Sequence, residues 1–362
     1  ANIEILKDAA SSSIYGSRGA NGVVLITTKT GSAGKLRINV DSYVGFSNPW
    51  KKIHVMDIEN FAVMRDYVEG KNSYSADGQI YYSKDPVTGD LVYDAGKFQR
   101  LDSLQRNSPA NWWDAIIQTG IKQQYNVALT GGNELQQFMV STNYYNETGV
   151  VQSSGYQRFS ARMNLSNTIT KFLTLKTNIL YTNDNRNIVP EGQNGVLKRS
   201  LHQSPLVFTY NNAGYFSENH PIAQIARNHN HAGNHRIDLN SELTAKLSPY
   251  FTYQFKIADY ANFYARKQFY EVDKLEENFS MPNDLTQINL DMSNVNKWEL
   301  NNILSFNWAE KSHAISAVVG QTLESYSLST QNLIRKGTPA NTDNLWYISA
   351  GYTGDYARET AY

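Results

Sequence analysis

The chain has 362 residues, with 33 Lys and Arg against 33 Asp and Glu, so its formal net charge is zero and it carries no electrostatic footprint for nucleic acid. Its length suits two or three average domains or one large one, and 41% hydrophobic residues can bury an extensive core. The longest apolar runs, such as Val23 to Ile26 and Phe61 to Met64, are far short of the roughly 18 residues that a membrane helix needs, which excludes a helical membrane protein. There is no cysteine, hence no disulfide framework, thiolate metal site or cysteine nucleophile. Aromatic content is high, led by 24 Tyr. Ala1 opens without a basic stretch, an apolar segment or a small-residue cleavage site, so no targeting segment is visible.

The first thirty residues are predicted to run helix, glycine loop, strand. Asp8 suits a helix cap and Gly16 its stop, while Gly19 and Gly22 continue the loop. Val23 to Thr28 is apolar and β-branched enough for a buried strand. The spacing Gly16, Gly19, Gly22 fits neither dinucleotide nor nucleoside-triphosphate glycine motifs, and the strand follows the loop, so the glycines read as conformational.

The string Ile3-Glu4-Ile5-Leu6-Lys7-Asp8-Ala9, then Tyr15-Gly16-Ser17-Arg18-Gly19-Ala20-Asn21-Gly22-Val23 and Ile26-Thr27-Thr28-Lys29, resembles the C-terminal end of the plug domain in SusC/RagA-type TonB-linked outer-membrane transporters. Tyr15, Gly16, Arg18, Gly19, Asn21 and Gly22 form the structural motif of that resemblance. It implies a chain drawn from inside a larger product, with residues 1–33 the end of a small α/β plug domain and 34–362 the first part of a transmembrane barrel.

From Lys35 onward the dominant pattern has period two. Arg236 to Leu247 puts Ile237, Leu239, Leu243, Ala245 and Leu247 on one face and Arg236, Asp238, Asn240, Glu242, Thr244 and Lys246 on the other. Similar alternation begins at Leu36, Tyr125, Phe138, Phe159, Leu173, Phe251, Trp298 and Ile315, nine strands in all, with Asn302 and Gln321 interrupting the apolar face. Connections at 131–134, 168–171, 247–250 and 309–312 are turn-length, whereas about 49–119 and 187–234 are long. Such asymmetry, with Arg37, Asp41, Arg162, Lys176, Asp238, Glu242 and Lys256 on the polar face, points to an outer-membrane barrel of antiparallel strands around a hydrated lumen. Tyr250, Phe251, Trp298 and Trp308, read as lying near strand ends, suit interfacial girdles, and Leu243 and Leu175, read as mid-strand, are expected to face lipid. The fold class is therefore mainly β, about nine of the 22 strands expected for the family, which cannot close a barrel alone. Asn111-Trp112-Trp113-Asp114 leading to Gly120 also resembles the family's approach to its second barrel strand, with Asn111 in place of the usual Asp.

The first long loop is expected to hold a helix from Ile58 to Glu69 capped by Asp57, and a hairpin turning at Asp85-Pro86-Val87-Thr88-Gly89-Asp90. Asp85, Asp90 and Asp94 lack the spacing of a calcium loop. His229, His231 and His235 are read as a solvated loop without a carboxylate partner, in preference to a metal site. Ser and His lack the framing of a nucleophile elbow, and the Glu276–Glu277 pair reads as solvated, so no enzyme activity and no cofactor are assigned. Contact candidates for substrate or partner are the loop aromatics Tyr81, Tyr82, Tyr93, Tyr210, Tyr215 and Phe216.

The resemblance implies import of bulky nutrients, oligosaccharides or peptides, across the outer membrane of a Gram-negative bacterium. It further implies energy from the TonB complex acting on the plug, a SusD-like surface lipoprotein as lid, and outer-membrane lipid around the barrel. The competing expectations are a lectin-like glycan-binding module, secreted or at the cell surface, and a passive pore. The lectin-like module does not account for the plug-like string, the loop asymmetry or the polar lumen-like faces.

Overall fold

A computed structural model of the chain describes residues 2–7, 19, 21–27, 31–58, 61, 64, 82–89, 91–93, 111–192, 195–205, 207–210, 216, 220–271, 286–337, 348 and 357–361. Two short strands, β1 (Asn2–Leu6) and β2 (Val23–Thr27), pair antiparallel in a sheet of their own. β1 was not expected, although Ile3 and Ile5 alternate with Glu4 across it. Gly22 holds φ +92° between Gly19, whose carbonyl accepts its N–H at 2.9 Å, and β2, and an added Cβ would stand 3.2 Å from the Leu6 carbonyl. Gly19 is buried and Asn21 exposed. Tyr15, Gly16, Arg18 and the helix expected after Asp8 lie outside the described residues.

The rest of the described chain is built on one antiparallel sheet of ten strands. In chain order these are β3 (Gly34–Ser47), β6 (Gly120–Gly132), β7 (Gln136–Thr148), β8 (Gly155–Thr170), β9 (Leu173–Asn187), β10 (Asn228–Lys246), β11 (Phe251–Tyr270), β12 (Gln287–Glu310), β13 (His313–Lys336) and β14 (Ala357–Ala361). Each pairs with the next, the simplest meander. β4 (Tyr82–Lys84) and β5 (Leu91–Tyr93) form the expected hairpin in the first long loop, where the Asp85 carboxylate accepts the Val87 N–H at 2.7 Å and Gly89 takes φ +75°. Ile58, Phe61 and Met64 are helical and the Phe61 N–H donates to the Asp57 carbonyl at 3.0 Å, while the remainder of that helix lies outside the described residues.

Nine strands coincide with the period-two series, and the tenth, β14, pairs with β13 over five positions. Turns β6–β7, β8–β9, β10–β11 and β12–β13 are tight, closing with as few as two residues at Lys171-Phe172 and Lys311-Ser312. The opposite ends carry the segments 48–119, 149–154, 188–227 and 271–286. The second long loop is therefore shorter than 187–234, because β10 starts at Asn228 and pairs with β9 from His231 onward.

The register puts the apolar series in one continuous face. Leu175, Leu243 and Phe255 are cross-strand neighbours, as are Ile179 and Leu239, and Leu129 and Val140. On β12 and β13 this face is interrupted beyond the turn-side half: Trp308, Phe306, Leu304, Leu300 and Trp298 give way to Asn296 and Asn294, and Leu323 to Ser325, Ser327 and Ser329, before Met292, Leu290, Ile288 and Leu333 make it apolar again near the loop end. Trp298 thus stands mid-strand and not near a strand end. The interruptions Asn302 and Gln321 are cross-strand partners, and Tyr253 donates its hydroxyl to Asn302 at 2.6 Å. No helix among the described residues is long and apolar enough to cross a membrane, a fact that leaves strands free to do so.

Candidate functional site

The polar face is a wall of paired side chains. Alternation brings every second residue of β6 to β11 to it, and antiparallel register sets opposite charges beside one another. Lys122 faces Glu147 at 3.2 Å, and Tyr145 donates to the same carboxylate at 2.6 Å. Arg186 grips the buried Asp184 at 3.1 Å while its guanidinium lies over Tyr156, 5.8 Å from the ring centre. Arg236 bonds Asp238 at 2.8 Å and covers Tyr260, and Lys256 meets Glu242 at 3.0 Å. Amide pairs, Asn126 with Asn143 and Asn164 with Asn178, tie neighbouring strands. A pocket of about 490 Å³ opens on this face across β6 to β10, in the half nearer the long loops, so the polar face is the concave one.

Above that end of the sheet, α1 (Trp112–Ile116), α2 (Val196–His202) and α3 (Pro221–Ala226) fold together over a small core of Ile116, Val151, Val189, Val196 and Ile225. Asn111 caps α1, its side-chain oxygen accepting the N–H groups of Trp113 and Asp114 at 3.0 and 3.1 Å, a role that Asn fills as well as Asp. Trp112 is almost wholly buried and donates its indole N–H to the Ser204 carbonyl at 3.0 Å. His220 is fully buried, with Nε2 donating to the Thr209 carbonyl at 3.0 Å and Nδ1 accepting the Ala223 N–H as the cap of α3. Burial holds its imidazole below the ordinary histidine pKa and so neutral. A second pocket, about 350 Å³, lies between the segment 53–64 and α1 and α2, with Met56, Phe61, Met64 and Leu201 in its lining.

The loop aromatics chosen from sequence separate. Tyr82 and Tyr93 are register partners across β4 and β5. Tyr210 and Phe216 form an isolated bridge and stack at 5.1 Å, Tyr210 keeping half its surface exposed. Phe216 is packed edge-on to His220 at 5.5 Å and beneath the Arg227 guanidinium at 5.0 Å. Tyr81 and Tyr215 lie outside the described residues.

The histidine reading needs correction. His229, His231 and His235 belong to β10, on the same face as Ile237 and Leu239. His229 does have a carboxylate, Glu271, at 2.6 Å across the sheet, while His231 and His235 bond Asn187 and Asn183 on β9. Their spacing is that of one face of a strand paired on both sides, set by backbone pairing that extends past the apolar band. Sequence reading also passed over Arg158 and the capping role of His220. The available signals were a second arginine four residues from Arg162 at the same phase, and His-Pro at a helix start.

The sequence matches no family model. It is similar to the TonB-dependent receptor P39 of Formosa agariphila, 30% identical over 261 residues, covering 70% of this chain and 23% of that protein. It is also similar to the TonB-dependent receptor SusC of Bacteroides thetaiotaomicron, 27% identical over 165 residues, or 45% of this chain and 14% of that one. The chain thus spans less than a quarter of the length of these curated relatives. Its fold is similar to a solved structure of the RagAB peptide importer in the closed-closed state, with a TM-score of 0.74 over 100% of this chain and 43% of that one, at 18% identity. With the plug-like string, the strand series and the sheet all in agreement, the chain belongs to the SusC/RagA family of TonB-linked barrel proteins.

Proposed function

We propose that the chain forms the end of the plug, residues 1–33, and the first part of the barrel wall, residues 34–362, of an importer in the outer membrane of a Gram-negative bacterium. The observation that carries this is the two-faced sheet: an apolar band bounded by Trp298 and Trp308 on one side, a concave and charged wall on the other. Those two tryptophans are ten residues apart, roughly 33 Å along the strand, which a tilt of about 40° turns into roughly 25 Å, the height of a barrel's apolar band. The tight turns then face the periplasm and the long loops the medium.

A lumen enclosed by the 22 strands expected for the family leaks unless filled, and the sequence shows no nucleotide-binding motif to drive uptake. A plug moved by the TonB complex meets both needs, with a SusD-like lipoprotein seated on the long loops and a bulky oligosaccharide or peptide as cargo. Tyr81, Tyr82, Tyr93, Tyr210, Tyr215 and Phe216 are proposed to meet cargo or lid, Tyr210 through its open face. No catalytic step is assigned. The test is growth of the native host on its limiting bulky nutrient: loss of the full-length gene and loss of TonB should each abolish growth. Dependence on the gene without dependence on TonB would favour a passive pore.

A further inference from the structure

We infer that the loop-side end of the polar wall is an anion-binding subsite, formed around Arg158 and Arg162, for an acidic and hydroxyl-rich oligosaccharide. The inference rests on the import reading and narrows its cargo.

Charges in the 490 Å³ pocket do not cancel locally. Asp184 is already held by Arg186, and accepts from Asn234 at 3.3 Å, while Arg236 is neutralised by Asp238. Arg162 has no ion pair or hydrogen bond among the described residues. Arg158 donates to a neutral oxygen, Asn143 Oδ1 at 3.3 Å, and lies 5.8 Å from the centre of the Tyr145 ring; its register partner on β9 is Asp184, the carboxylate Arg186 holds, and its Nε is buried without an acceptor. Two guanidinium groups therefore line a concave site whose one carboxylate, Asp184, is bonded to Arg186, which leaves the lining with more cations than anions. An unsatisfied buried donor and an uncompensated charge both favour an incoming oxyanion, and the planar fork of arginine matches a carboxylate or sulfate. The two residues share one face of β8, about 13 Å apart along the strand, a span suited to one extended ligand.

The neutral lining argues for sugar over peptide. Between the arginines stands Ser160, its hydroxyl 3.4 Å from that of Thr182, and Asn126 pairs with Asn143 alongside. These groups donate to and accept from hydroxyls, whereas Leu180 is the sole aliphatic residue in the lining, too little surface to hold apolar peptide side chains. The site also lies in the half of the wall that cargo entering past the long loops meets first.

The test uses full-length transporter purified from outer membranes of its host and calorimetric titration with four probes: tetragalacturonate, its methyl ester, a sulfated carrageenan tetrasaccharide and tetraglutamate. At least one anionic sugar should bind at least about tenfold more tightly than the uncharged ester, and the stronger of the two identifies carboxylate or sulfate as the group recognised. Arg162→Gln should remove that advantage and leave the ester unchanged, and Arg162→Lys should restore part of it. Assembly of each variant is checked by heat-dependent electrophoretic mobility. Equal binding of acid and ester, no binding of either anionic sugar, an unaltered Arg162→Gln, or preference for tetraglutamate overturns the proposal. Binding is read on purified protein, so growth that proves independent of TonB would defeat the import reading without deciding this one.

Discussion

Leu243 and Thr244 are adjacent on β10 and face opposite sides of the sheet, which makes them a paired probe of the membrane assignment. The apolar series of this strand runs from Ile237 to Leu247, with Leu175 and Phe255 beside Leu243 on the neighbouring strands. Leu243 lies four residues from one end of that series and six from the other. At ~3.3 Å per residue and ~40° tilt it is about 10 Å from the lower margin and about 15 Å from the upper, close to the midplane even though it is not mid-strand. Leu243→Arg should therefore cost about 2–4 kcal/mol, equivalent to a 30- to 900-fold loss in the folding equilibrium. Thr244 instead lies on the charged wall, its hydroxyl 3.1 Å from Glu242, so Thr244→Arg adds a cation to a hydrated surface beside a carboxylate and should change stability by less than about 1 kcal/mol. Urea titration of the full-length barrel in phospholipid vesicles, read by heat-dependent electrophoretic mobility, measures both. Equal penalties at the two positions would refute the facing assignment and the lipid contact derived from it.

His220 should make the loop cap pH-dependent. Its depressed folded pKa means that the unfolded state binds more protons between that value and about 6.5, so the stabilisation is complete above the unfolded pKa and is lost as pH falls through the folded one. Hydrogen exchange across α2 and α3 should accelerate on acidification in the wild type but not in His220→Asn, and a pH-independent wild type would count against it. Gly132→Ala should disrupt the β6–β7 turn, since φ is +137° and the new Cβ would stand 2.1 Å from the Gln136 carbonyl oxygen; the conformation alone costs about 1–3 kcal/mol, and an unchanged unfolding midpoint would contradict the geometry. Tyr210→Ala should weaken lid or cargo association by about 0.5–1.5 kcal/mol with the loop cap intact, whereas Phe216→Ala should loosen the cap itself; identical effects in binding and exchange measurements would show that the two rings do one job.

Within the apolar band the strands were legible, because one face must be apolar there and the alternation has full amplitude. Beyond the band apolar residues are sparser and interrupted by polar ones, and the alternation weakens while the backbone ladder continues. Asn228 to Asn234 shows this: its sequence looks like a loop, yet its residues pair with Arg266, Tyr264 and others on β11 through main-chain bonds that any side chain permits. β1 escaped notice for a different reason, since five residues paired with a strand about twenty positions away leave only Ile3 and Ile5 as a pattern. The anion subsite was half visible. Arg162 stood out on the polar face, but that the acid opposite Arg158, Asp184 on β9, is held by Arg186 instead depends on side-chain geometry that the sequence does not carry.

On β13, 24 residues at ~3.3 Å and ~40° rise about 60 Å, against the roughly 25 Å that lipid covers, and nearly all the excess is on the loop side. The wall therefore projects some 30 Å beyond the bilayer as a stiff, hydrogen-bonded parapet. On the proposed import reading, reception of cargo at the rim and its release past the plug would occur at separate levels, one in the external medium and one at membrane depth. A ligand held in the upper shaft sits outside the membrane's low-dielectric slab, where charged groups keep their hydration until the last stage of passage. On that reading, such a layout would let the rim sort charged molecules without exposing the seal below to each arrival.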